Sequence, residues 1–313
     1  MTADGWPVLA LEDWLPTYET LHRWAQIVGK TRLGLAPHQN HWWQCALYVS
    51  ARGLTTSAMP YPGGNVEMEL DVLDDVLRAR TSTGATAQIR LESKSVAEFY
   101  REYREMLDAL GVDVRIVPTP NEIADATPFP EDRVHSTYDG DAVRRWWRAL
   151  TSVDHIFERF RGEFIGKCSP SHFWWGGFDL ACTRFSGRPA PPHPGGIPNC
   201  PNYVMLEAYS HECISAGWWP GTAGAPVAEP AFYAYAYPEP PGCMDAPIAP
   251  RAAFYHTDLR EWILPYAAVR TAADPDALVM EFLESTYQAA ATRGGWNVSA
   301  LRASNAVLAP TPR

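Results

Sequence analysis

The chain has no Cys-x-x-Cys pair, no long run of Lys or Arg, and no uninterrupted apolar stretch between Met1 and Asp13. The six scattered cysteines (Cys45, Cys168, Cys182, Cys200, Cys213 and Cys243) therefore read as reduced thiols of a cytoplasmic protein, not as a disulfide framework. With a net charge of −10 the chain lacks the basic footprint of a nucleic-acid binder. Its densest positive clusters, Arg144-Arg145-Arg148 and Arg159-Arg161, fall in one helical segment. The acidic opening predicts neither a signal peptide nor a membrane span. Also missing are a Gly-x-Ser-x-Gly elbow and any glycine-rich phosphate loop, so no nucleotide cofactor motif is present. Gly63-Gly64 and Gly195-Gly196 read as turns.

What is present is globular: hydrophobic residues make up 46% and charged residues 20%, outside the disordered range. Eight of the 13 tryptophans form four adjacent pairs: Trp42-Trp43, Trp146-Trp147, Trp174-Trp175 and Trp218-Trp219. Such pairs suit a core first, then pocket walls and interfaces.

The plan of the first half recurs in the second. Tyr18, Leu21, Ala25 and Val28 follow helical spacing, Gly29 can end that helix, and His41 to Ala51 reads as a strand. Val66, Met68, Leu70 and Val72 alternate with polar residues as a half-buried strand does. Gln88 to Leu91 adds a short strand. Ser95 and Glu98 then open an amphipathic helix that stops at Gly111, and Val112 to Val117 reads as a strand. In the second half Val143, Trp146, Leu150, Val153, Phe157, Phe160 and Phe164 mark a long helix ending at Gly166. His172 to Phe185 and Tyr203 to Ser215 read as strands, and Tyr233, Tyr235 and Tyr237 share one face of another. Asp274 caps a closing helix. The expectation is an α+β protein, an internally duplicated helix, three or four antiparallel strands, helix unit, its halves forming one compact body. The first repeat is 1–117, the connection 118–138 and the second repeat 139–313, the last carrying a proline-rich loop at 187–201 that would act as a lid.

Several long strings resemble a bacterial family, DUF5996, a domain of unknown function. They are Asn40-His41-Trp42-Trp43, Arg52-Gly53-Leu54-Thr55-Thr56, Gly166-Lys167-Cys168-Ser169-Pro170, Phe185-Ser186-Gly187-Arg188 with Pro191-Pro192-His193-Pro194-Gly195-Gly196, Glu207-Ala208-Tyr209-Ser210-His211-Glu212, and Tyr235 to Gly242. The resemblance covers nearly the whole chain. It implies one intact unit and supplies no chemistry.

Candidate chemistry concentrates in the second half. An uninterrupted strand would put His172 and Arg184 on one face and Asp179 on the other; a bulge at Gly176-Gly177 would turn Asp179 to the same face. Asp179, between Phe178 and Leu180, needs a partner when buried, and Arg184 is the natural one. Glu207 and His211 would be roughly 6 Å apart on a helix and about 13 Å apart on a strand; the repeat favours the strand. Cys168 follows a helix C-terminus, whose partial negative charge opposes a thiolate, so it reads as structural.

The leading expectation is an enzyme acting on a small polar or anionic metabolite in an aromatic-lined cleft. His172, Asp179, Glu207 and His211 would be catalytic. Arg184, Arg188, His193, Trp174, Tyr209 and Tyr235 would bind substrate. A divalent transition metal on His41, His172 or His211 is a candidate cofactor. The alternatives are a non-catalytic small-molecule-binding protein and a homo-oligomeric interaction protein.

Overall fold

The structure is a computed structural model that describes residues 5–124 and 126–304. Its first half runs α1 (Leu15–Leu35), β1 (Tyr48–Val49), β2 (Gly53–Thr55), β3 (Met59–Tyr61), β4 (Gly64–Asp71), β5 (Val76–Thr81), β6 (Thr86–Arg90) and α2 (Val96–Ala109). The second runs α3 (Gly140–Gly162), β7 (His172–Trp174), β8 (Asp179–Pro189), α4 (Asn202–Ala208), β9 (His211–Trp219), β10 (Ala231–Tyr237), β11 (Phe254–His256), β12 (Glu261–Pro265), α5 (Tyr266–Arg270), α6 (Pro275–Arg293) and α7 (Val298–Leu301). The protein is α+β, with two antiparallel six-stranded sheets. Each half holds six strands, not three or four. Their orders differ, β1-β2-β4-β5-β6 with β3 on β4 against β11-β12-β10-β9-β8-β7, and the second half also carries α4 between its strands and three closing helices, so the halves do not repeat one another element by element.

The helix caps follow the sequence. The Ser95 hydroxyl accepts from the Glu98 amide, and the Asp274 carboxylate accepts from the Ala277 amide. By contrast, Gly29 does not end α1. A Cβ there would lie 2.1 Å from the Trp175 ring, so the glycine serves close approach and the helix continues to Leu35. Every residue of α1 from Thr20 to Arg32 is buried, the mark of a helix enclosed on all sides. Trp24 stacks on Phe99 of α2 at 4.7 Å between ring centroids.

Four expected strands are corrected. His41 to Ala51 contains a 3-10 turn at Asn40–Trp42, where His41 and Trp42 take φ of 57° and 59°, and only Tyr48–Val49 pairs as strand. Val112 to Val117 forms none: the Val114 carbonyl accepts from the Arg104 guanidinium instead of a neighbouring strand. His172 to Phe185 is a hairpin, because Phe178 at φ 58° turns the chain between β7 and β8. Tyr203 to Ser215 divides into α4 and β9, since Pro201 starts a helix through the good helix formers Met205, Leu206 and Glu207. The two sheets meet edge to edge at one place, where the Leu47 and Phe173 backbones exchange hydrogen bonds of 2.9 Å.

Alternation sorts the second sheet into two faces. Phe173, Leu180, Ile214, Trp218, Phe232 and Trp262 point toward the helices and form core. The opposite face carries His172 and Trp174 of β7, Asp179 of β8, Ser215 and Gly217 of β9, and Tyr233, Tyr235 and Tyr237 of β10. Paired registers place these side by side.

Candidate functional site

The hairpin turn settles the parity question. His172 and Asp179 share a face, while Arg184 lies on the other. The expected Asp179–Arg184 pair is therefore not made. Arg184 is buried against the Phe160 and Tyr287 rings, ion-pairs with Glu284 at 3.3 Å and donates to the Phe160 carbonyl. Arg188 is also committed internally, to Glu212 at 2.6 Å and to the Gly294 carbonyl at the end of α6. Neither guanidinium is free to orient a ligand on the open face.

Asp179 is bound by tyrosine instead. The Tyr233 hydroxyl donates to Asp179 Oδ2 at 2.5 Å. This reach depends on Gly217, where a Cβ would stand 2.2 Å from Tyr233 Cζ, so only a glycine lets the ring lie across the strand. A second carboxyl comes from the 118–138 connection. Gln26 of α1 donates to the Asn121 carbonyl and accepts from its amide, and the Glu122 amide donates to the Pro198 carbonyl. Glu122 sits at φ 60° and lays its carboxyl over Gly176 and Gly177. A Cβ at Gly177 would meet Asp179 Oδ1 at 2.7 Å and Glu122 Oε2 at 3.7 Å, so these two glycines make room for the pair of acids.

Burial is the leading cause that raises all three acids of this region: Asp179 to about 6, Glu122 to about 7 and Glu261 of β12 to about 7. The Asp179 charge pushes the other two further up, while the Tyr233 hydrogen bond holds Asp179 down. Glu122 nevertheless stays exposed, and Asp179, Glu261, Tyr209, Tyr233 and Tyr235 are half-buried. These side chains crowd one another on this side of the sheet and keep some exposure to solvent.

The proline-rich loop lies against the tyrosine row. His193 stacks on Tyr209 at 4.6 Å, the Tyr209 and Tyr235 hydroxyls are 2.6 Å apart, and Tyr237 donates to the Pro191 carbonyl. Asn199 bonds Ile123, tying the loop to the Glu122 segment. Asp179, His193, Tyr209 and Tyr235 thus belong to one neighbourhood.

His41, Glu207 and His211 make a second group on the same side. The Glu207 carboxylate accepts from the His41 amide at 2.8 Å, and the His41 and His211 rings are 5.7 Å apart. Glu207 reaches this position from α4, not from the expected strand. Lys167 completes the group, its Nζ donating to His41 Nε2 at 2.6 Å. With Nδ1 on the Ala208 carbonyl, both His41 nitrogens are engaged. His172 stands apart in a box of Trp43, Tyr48 and Trp174 rings, burial and the nearby Arg161 and Arg32 charges lowering it to about 3. Among the described residues no three His, Cys, Asp or Glu side chains converge as a metal ion requires. On the helix-packed face, Cys168 and Cys182 hold their sulfurs 3.7 Å apart, and that hydrogen bond lowers the Cys168 thiol.

Glu122, Glu261, Tyr233 and Lys167 were missing from the sequence-derived site. The Tyr233-Tyr235-Tyr237 alternation carried one signal, since all three must share a face. Glu122 lay in a segment with no periodicity, and nothing local marks it. Beyond Tyr237, the ends of β9, β10 and α6 enclose a further pocket of about 260 Å³, lined by Cys213, Tyr237, Pro240, Arg293 and Trp296. Its polar groups are already occupied, Glu212 by Arg188 and Arg293 by the Gly242 carbonyl.

The raised acids give a pH signature. Their folded-state pKa values exceed the unfolded ones, so their stabilising contribution is complete at low pH and is lost as pH rises. For Asp179 the window runs from 3.8 to about 6. Urea unfolding across this range should show Asp179→Asn losing less stability with rising pH than the parent. Identical slopes would refute the raised value.

The chain is an α+β protein built on two antiparallel sheets. It matches, over residues 6–303, the family of unknown function DUF5996, and it is a member of that family. No curated protein and no solved structure matches it.

Proposed function

We propose that this protein is an enzyme acting on a small polar metabolite held against the tyrosine row of the second sheet. Asp179 and Glu122 carry the proton transfer. The supporting observation is the pair itself: two carboxyls brought to about 6 and about 7, both bordering the space beside Gly177. Near neutral pH such a pair can hold one proton between an acid and a base. Asp179, kept lower by Tyr233, is the base, and Glu122 the acid. Tyr209 and Tyr235 offer ring faces and hydroxyls to the ligand, and the 187–201 loop covers it. The acids, the tyrosines and this loop together would form a recess for the ligand, to which Arg184, buried on the other face of the sheet, contributes nothing. The ligand is a small molecule and not a nucleic acid, in keeping with the net charge of −10. Six free thiols fit a reducing cytoplasm, and no helix among the described residues is long and apolar enough to cross a membrane.

The test is a thermal-shift screen of a metabolite panel, with each hit then followed by NMR in the presence of protein. The expected result is a hit that the parent converts and that Asp179→Asn binds without converting. A hit that the parent binds unchanged would establish the binding-protein reading instead. Hits indifferent to both Asp179→Asn and Tyr235→Phe would remove the recess from consideration.

A further inference from the structure

The chain contains only three lysines against 23 arginines, and their settings differ sharply. Lys30 is buried on α1 and donates to the Asn121 side chain. Lys94 is ion-paired with Glu102 at 2.8 Å. Lys167 is exposed, yet its amine meets a histidine nitrogen and two aromatic rings. Its Nζ lies 5.5 Å from the Trp43 centroid and 4.9 Å from that of Phe185.

His41 is fixed in the form that suits a proton acceptor. Its Nδ1 is 2.8 Å from the Ala208 carbonyl, which can only accept, so Nδ1 bears the hydrogen and Nε2 the lone pair. That lone pair faces Lys167 Nζ. The ring is anchored from behind as well, because the His41 amide donates to Glu207 at a residue held at φ 57°. A backbone in that uncommon region persists only where its surroundings enforce it.

We propose that Lys167 is a carbonyl-reactive amine, condensing through Nζ with an aldehyde or ketone while His41 takes and returns the proton. The lone pair of the neutral amine attacks the carbonyl carbon, the new C–N bond forms and the carbonyl π electrons move to oxygen. One nitrogen proton passes to His41 Nε2, which returns it to the alkoxide and so gives the neutral carbinolamine. His41 Nε2 then takes the second nitrogen proton and delivers it to the hydroxyl as the C–O bond breaks, so the oxygen leaves as water with both amine protons and the nitrogen lone pair closes the C=N bond. No electrons are gained or lost overall. Desolvation lowers the Lys167 ammonium from its ordinary value, with the Glu207 charge opposing, which raises the fraction of free amine. This inference stands on the Lys167–His41 geometry and is independent of the carboxyl recess.

The test uses the full chain with propanal and sodium cyanoborohydride at neutral pH, and Nα-acetyl-lysine in the same tube as reference. Peptide mapping by mass spectrometry reads the alkylation rate at each lysine. Lys167 should react several-fold faster than the reference, since a lowered ammonium leaves more free amine to attack. Lys30 and Lys94 should react more slowly than the reference. His41→Asn, a residue that tolerates positive φ, should return Lys167 to the reference rate. A Lys167 no faster than acetyl-lysine in the parent protein overturns the proposal, and that comparison needs no variant to fold. An unchanged rate in a folded His41→Asn protein overturns the role of His41.

Discussion

Arg184→Ala should lower the stability of the protein by about 3–5 kcal/mol, as removal of one partner from a buried ion pair does. The guanidinium is enclosed by Phe160, Phe164 and Tyr287, with its carbon 3.3 Å from the Phe160 ring centroid. Truncation leaves a cavity among three rings, strips the Phe160 carbonyl of its side-chain donor and leaves Glu284 without its guanidinium partner. Arg184→Met keeps the stem volume and should recover only the part of the loss that comes from the cavity. Urea midpoints at neutral pH measure both. An alanine variant as stable as the parent would mean that the charge is not buried as described, and would reopen a ligand role for it.

Gly217→Ala should cost about 1–3 kcal/mol, the range for forcing extra volume into packed structure. Its effect on the site should be larger than that figure suggests. The added methyl would occupy space now held by Tyr233 Cζ and the hydroxyl 2.3 Å from the same point, so the ring must swing off the strand. Asp179 would then lose the Tyr233 hydroxyl and, with burial opposed only by its backbone hydrogen bond, its pKa would climb above about 6. Carbon-detected NMR of the Asp179 carboxyl, beside a urea titration, reads both consequences. A variant in which the stability falls while the Asp179 titration stays put would show that Tyr233 does not control it.

These cases show what the sequence could and could not reveal. Helical stripes and caps were legible because they are local, as at Ser95, Asp274 and the apolar series of α3. The tyrosine row was legible because alternation decides a face. The parity of Asp179 was not, because it turned on whether Gly176-Gly177 was a bulge or a reversal of the chain. Glu207 was misplaced onto a strand because alignment of the halves outweighed its own helix-forming neighbours. Glu122 was invisible: its position is set by contacts with Gln26 and Pro198, far away in the sequence on either side. Lys167 was noticed only beside Cys168, since its real neighbour, His41, is 126 residues away.

The placement of Glu122 also bears on how the chain could be divided. One member of the acid pair is held by α1 and the connection, the other by β8. A cut within 126–138 would leave Glu122 on the first fragment and Asp179 on the second, with the all-round burial of α1 lost to both. Two such fragments would regain the pair only by reassociating. Return of the raised Asp179 titration in the mixture would then report reassembly, making this acid pair a built-in complementation sensor for the fold that creates it.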